Sequence, residues 1–138
     1  KGATALAVIA AMRGIDPQLA AENELAAIRA NMKEAVDGLE AATRWIIDTF
    51  PKNAKAVAAV AVPYLKLFGT VAGGWMMARA ALVAHEKLKQ PGADGDFLQA
   101  KLATARFYAE HELPRALPLA REVTSGADSV LALDPAKF

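Results

Sequence analysis

Apolar residues recur along this chain at steps of three and four, the spacing of helices with one buried face. The clearest run begins at Leu25 and continues through Ile28, Met32, Ala35, Val36, Leu39, Ala42, Ile46 and Phe50. It predicts a helix that starts at Pro17 or Asn23 and ends near Thr49. An earlier helix is expected over residues 3–13, with Gly14 as its stop. Asp16 and Pro17 then suit a cap and a first helical position. A third helix is expected over residues 54–89, capped by Asn53. Its stripe is Val57, Val60, Tyr64, Leu67, Phe68, Val71, Trp75, Ala78, Leu82 and His85. A fourth is expected over residues 97–124, striped by Leu98, Leu102, Ala105, Ala109, Leu113, Ala116, Ala120 and Val123. The clearest loop is QPGADGD at residues 90–96, with Asp96 as the cap of the fourth helix.

Breakers modify these helices. Pro63 should kink the third, and Pro114 and Pro118 should kink or break the fourth. Gly38 costs its helix roughly 1 kcal/mol and permits a close crossing. Residues 127–138 form a short tail whose Val130, Leu131 and Leu133 are expected to lie back on the rest. The expected fold is all-α: an up-down bundle of about four helices, the third and fourth kinked. Residues 1–138 are expected to form a single domain, the C-terminal piece of a longer protein.

Composition supports this. Hydrophobic residues make up 54% and charged residues 22%, and much of the apolar part is alanine, the best helix former. A chain of 138 residues can bury a core. The formal net charge is +1, and the basic residues are scattered, so no nucleic-acid partner is expected. With no cysteine, disulfides, thiolate metal sites and a cysteine nucleophile are excluded. Lys1 and the apolar run after it imitate a leader peptide, but they serve equally well as a core helix. The uncharged stretch at residues 67–78 is short of the ~18–20 residues of a membrane span. No span is expected, and a cytoplasmic setting is.

Candidate chemistry is sparse. His85 lies beside Glu86, and His111 between Glu110 and Glu112. Helical bundles build metal sites from Glu-x-x-His pairs, yet Leu82 and Tyr108 stand where those glutamates would be. Glu22 and Glu24 suit a helix start, and Asp94 and Asp96 a loop and cap. Gly69, Gly73 and Gly74 follow no strand and precede no Lys-Ser or Lys-Thr pair, so a phosphate loop is not supported. Ser125 and Ser129 lack a nucleophile elbow. The aromatics are more informative. Tyr64, Phe68 and Trp75 on the third helix, and Phe107 and Tyr108 on the fourth, are the candidates for core packing or for a docking face.

Four segments carry a family resemblance: EAATRWI at residues 40–46, PYLKLFGTVAGGWMMARAALVAH at 63–85, FLQAKLATARFYAEHELPRA at 97–116, and GADSVLAL at 126–133. In this order and spacing they resemble the extra C-terminal helical domain of the long, roughly 600-residue bacterial acyl-CoA dehydrogenases. The resemblance implies a parent flavoenzyme that oxidises an acyl-CoA to its 2,3-enoyl form. There a glutamate would take the α-proton and FAD the β-hydride. The family's G-Y-x-x-E type catalytic segment has no counterpart here, since Gly73-Gly74 leads into Trp75-Met76-Met77. No catalytic, FAD-contacting or metal-binding residue is carried over, and no cofactor is expected in this segment itself. The implied partners are the parent's own catalytic domains, its acyl-CoA substrate and further copies in a homo-oligomer. Two other readings stand beside this one: a stand-alone helical interaction module, and a small helical enzyme or metal carrier using His85 and His111.

Overall fold

Helix ends in this chain fall where glycine, proline and capping side chains put them. The computed structural model describes residues 2–133 and 135–137. In chain order the α-helices are α1 (Ala3–Arg13), α2 (Asp16–Ala20), α3 (Ala26–Thr49), α4 (Ala54–Ala59), α5 (Ala61–Leu88), α6 (Gly95–Phe107), α7 (Ala116–Ser125) and α8 (Ala127–Leu131). Short 3-10 turns at Asn23–Leu25, Leu113–Arg115 and Pro135–Lys137 and one π-helical turn at Tyr108–Glu112 complete the regular structure. The described fold is all-α.

The helices outnumber the four expected because the third and fourth expected ones are cut and the short α2 and α8 stand apart. Pro63 has no N–H, and its ring crowds the carbonyl four residues back. That carbonyl belongs to Ala59, the last residue of α4, and Val60 leaves the helical region there. What the sequence suggested as a kink is a break. In the fourth expected helix, Pro114 falls in the 3-10 turn, and the Glu110 carbonyl that it crowds lies in the π turn. Pro118 is the third residue of α7, where backbone donors have no intrahelical partner in any case. Of the two expected starts of the second helix, Pro17 falls in the separate α2, and Asn23 opens the 3-10 turn that leads into α3.

Two caps differ from expectation. Asp16 is the first residue of α2 and makes no capping bond. Its carboxylate instead accepts from Arg29 Nε at 2.8 Å and from Arg29 Nη2 at 3.0 Å. A bidentate guanidinium outcompetes a single backbone N–H. Before α6 the cap is Asp94, which accepts from the Phe97 amide at 3.1 Å. The helix starts at Gly95, so Asp96 already sits in its first turn. Asn53 caps α4 as the sequence suggested, accepting from the Ala56 amide at 3.1 Å.

Side-chain pairs fix the directions of the long helices. Arg13 near the end of α1 bonds Glu40, while Gly2 before α1 lies against Ile47, so α1 runs antiparallel to α3. Tyr64 near the start of α5 meets Thr43 late in α3, and His85 near its end meets Glu22 ahead of α3. Hence α5 also runs antiparallel to α3. Leu98 of α6 lies beside Val83, and Leu113 beside Gly74, so the chain turns again after α5. Leu19, Leu25, Leu39, Leu67, Val71, Leu113 and Val123 are at most 2% exposed and form the centre. Gly38 lets α3 and α7 cross closely, because a Cβ there would stand 3.3 Å from that of Ala120.

The tail differs from expectation. Ala127 is buried and α8 packs on α4, but Val130, Leu131 and Leu133 are exposed. A five-residue helix anchored by one alanine turns its other apolar side chains outward. Phe50, expected at the end of the α3 stripe, is also exposed, because α3 stops at Thr49 and the chain turns away. Phe138 lies outside the described residues.

Candidate docking face

α5 is apolar on more than one side, and that property organises the surface. Its inner side buries Leu67, Val71, Gly74, Ala78, Ala81 and Ala84. A second apolar line, Val62, Leu65, Met76 and Val83, stands exposed along its outer side. By length and composition alone α5 passes as a membrane span, contrary to the sequence estimate based on its uncharged stretch. A core helix passes the same test, and α5 contributes to the core along its whole length.

The aromatic candidates divide between the two sides. Tyr64 is half-buried, with its hydroxyl 2.9 Å from Thr43 Oγ1. Thr43 donates to the Leu39 carbonyl at 2.8 Å, so the Tyr64 hydroxyl is left as donor to Thr43. Phe68 meets the Tyr64 ring edge-on, with centroids 6.1 Å apart. Trp75 is half-buried under the Arg79 guanidinium, 5.1 Å from its ring centroid. Tyr108 donates to the Thr70 carbonyl at 3.0 Å. Burial, and after it the Glu112 charge, push the Tyr108 phenol above its ordinary pKa. Tyr64 thus ties α5 to α3 and Tyr108 ties the π turn to α5, while the contacts of Phe68 and Trp75 with Tyr64 and Arg79 lie within α5. Phe107 is different: it is exposed and stacks on the exposed His111 at 4.5 Å.

The structure does not bring the two histidines together. His85 has a side chain only 12% exposed, with Nε2 2.9 Å from Glu22 and Nδ1 3.3 Å from Glu24. Lys89 reaches the other Glu22 oxygen at 2.8 Å. Lys89, then His85, hold the Glu22 carboxyl below its ordinary pKa, and Glu22 in turn holds the Lys89 ammonium above its own. This cluster fastens the end of α5 to the corner between α2 and α3. Residues 63 positions apart meet here, and no local spacing announces the contact. A second cluster joins α1 to α3, where Arg13 engages Asp37 and Glu40. Arg13, then Arg44, depress the Glu40 pKa.

The outer side of α5 and the start of α6 enclose a shallow hollow of about 390 Å³. Met76, Arg79, Val83, Lys87, Phe97 and Lys101 line it. No reading of the sequence joined these side chains into one surface. The available signal was the second line of apolar residues on α5, out of phase with the core stripe.

The glycines of α5 serve packing. A Cβ on Gly73 would collide with the Tyr108 hydroxyl, and one on Gly74 would stand 2.5 Å from Leu113 Cδ2. Their amides lie within the α5 ladder. Such glycines do not fit a dinucleotide phosphate, which needs free amides on a loop or helix start.

Comparison with known proteins places this architecture. Residues 6–134 match the family described as acetyl-CoA dehydrogenase C-terminal like. The chain belongs to this family. A curated relative, the 3-methylmercaptopropionyl-CoA dehydrogenase of Ruegeria pomeroyi (strain ATCC 700808 / DSM 15171 / DSS-3), is 33% identical over 104 residues. The match covers 75% of this chain and 18% of that relative. As an acyl-CoA dehydrogenase C-terminal-like domain, the chain thus spans under a fifth of the relative's length. The glycine, tyrosine and leucine contacts described above are the packing devices of a domain of this family.

Proposed function

We propose that this chain is the accessory C-terminal domain of a longer, cytoplasmic, FAD-dependent acyl-CoA dehydrogenase. The parent would convert an acyl-CoA thioester to its 2,3-enoyl form. The domain packs on the catalytic core, braces its helices and supports oligomer contacts or the acyl end of the substrate pocket. The observation that carries this reading is the pairing of a family match over residues 6–134 with coverage of only 18% of a full-length relative.

The side chains support a role in packing. Tyr64, Phe68, Trp75 and Tyr108 all pack against the core, and the Tyr64 and Tyr108 hydroxyls bond across to neighbouring elements. Phe107 remains available outside. The two buried-edge charge clusters, around Glu22 and around Glu40, are tied up in ion pairs. Among the described residues no group of three or more His, Asp or Glu side chains is arranged to hold a metal ion.

The test is made on the full-length gene product. Its visible spectrum is recorded alone and with a panel of acyl-CoA thioesters. A flavin spectrum that bleaches with one thioester class is expected, and it names the substrate class. A protein that takes up no FAD overturns the reading and leaves a stand-alone interaction module in its place.

A further inference from the structure

The hollow between α5 and α6 has an unusual rim. Its floor and walls are apolar, with Met76, Val83 and Phe97 all more than half exposed. Every charged side chain that lines it is basic: Arg79, Lys87 and Lys101. Lys66, nearer the start of α5, is exposed as well. None of these four has a carboxylate partner among the described residues. Arg79 lies over the Trp75 ring, and Lys101 over Phe97 at 5.2 Å. Glu86, the acidic residue of α5, pairs instead with Lys89.

Open apolar surface of this kind marks an interaction site, and the charges select what covers it. In a two-fold contact between copies, the same patch would face itself. The three cations of the hollow would then oppose three like cations, which disfavours such a pairing. The small side chains of Ala80 and Ala84 line the hollow among the larger Met76, Val83 and Phe97, so the surface is recessed there where a membrane-binding face would project. A recess takes a ridge of side chains from a folded partner. The 18% coverage leaves more than four-fifths of a full-length relative outside the matched region.

From this we infer that the hollow between α5 and α6 docks an apolar, acidic-edged helix from the catalytic portion of the same polypeptide. This rests on the proposed membership in a longer dehydrogenase and names the contact within it. Phe97, Met76 and Val83 receive the apolar ridge, and Arg79, Lys87 and Lys101 pair with carboxylates along its edges.

The experiment is amine labelling and zero-length amine-to-carboxylate crosslinking of the full-length protein, read by peptide mass spectrometry. Lys52 and Lys55, exposed and away from the hollow, are the references. Lys87 and Lys101 are expected to label roughly tenfold more slowly than these, since an amine paired with a docked carboxylate is held in its protonated, unreactive form. Both are expected to crosslink to carboxylates outside this domain. The exposed double variant Arg79→Glu, Lys101→Glu should restore Lys87 to the reference rate. Equal labelling of Lys87 and the references in the native protein overturns the inference. So do crosslinks to a second copy of this domain, protection only with anionic vesicles, or a variant in which Lys87 stays shielded. The flavin spectrum of the same sample separates the two failures. A thioester-bleached flavin with freely labelled lysines rejects this contact alone, whereas a sample without flavin rejects the parent reading.

Discussion

The Tyr108 hydroxyl occupies the space above Gly73, where it donates to the Thr70 carbonyl at 3.0 Å. A Cβ at position 73 would meet Tyr108 Cζ at 3.0 Å, and the ring is held at its far end by that bond. Gly73→Ala therefore has opposing effects. Alanine gains about 1 kcal/mol of helix propensity, while overpacking costs about 1–3 kcal/mol and the displaced hydrogen bond about 1 kcal/mol more. The expected net loss is ~1–3 kcal/mol by chemical denaturation. Combining Gly73→Ala with Tyr108→Phe should cost less than the sum of the two single changes.

Leu113 is 1% exposed and rests on Gly74. Leu113→Ala opens a cavity at the junction of α5 and the 3-10 turn before α7. The expected loss is about 2–5 kcal/mol, measured as a lower denaturation midpoint with an unchanged slope.

Trp75 is half-buried, so its truncation should cost less than that of a fully buried ring. Trp75→Ala is expected to lose about 2–3 kcal/mol, below the range for full burial. Trp75→Phe keeps the ring under Arg79 and should lose less than half of that. Thermal melts of both variants decide the order.

Acid should loosen the ion-pair clusters in a defined direction. Glu22 and Glu40 have folded pKa values below the ordinary 4.5. Their contribution is therefore complete above that value and is lost as pH falls through the lower folded values. Stability is expected to decline from about pH 4.5 downward. Glu22→Gln should flatten part of that decline and be less stable than the native chain at pH 7. Denaturation at a series of pH values checks both.

The helical stripes were legible because packing along a helix repeats at the helix's own period. Leu98, Ala105, Ala109, Leu113, Ala116 and Val123 are buried, as the spacing of three and four required. Proline positions marked the interruptions, but not their form, since Pro63 breaks the backbone at Val60 where a kink was equally allowed. Asp94 was passed over for Asp96 because the choice depends on where Gly95 starts the helix, a matter of one residue. The Glu22–His85–Lys89 cluster was illegible for another reason: tertiary packing alone brings α2 to the end of α5. Of the aromatic candidates, Phe107 ends α6 and is exposed while its neighbour Tyr108 opens the π turn and is half-buried, a difference of one helical position. The family resemblance, carried by the order of whole segments, reached further than any single residue.

These residues supply packing, on the reading proposed above, while the chemistry lies elsewhere in the parent. The most direct test is rapid-mixing measurement of flavin reduction by saturating acyl-CoA in the full-length enzyme, with Glu22→Gln, His85→Gln and Tyr108→Phe each compared with the native protein. Lower melting temperatures with unchanged rates of flavin reduction are the predicted result. A variant that melts normally but reduces its flavin many-fold more slowly would contradict it.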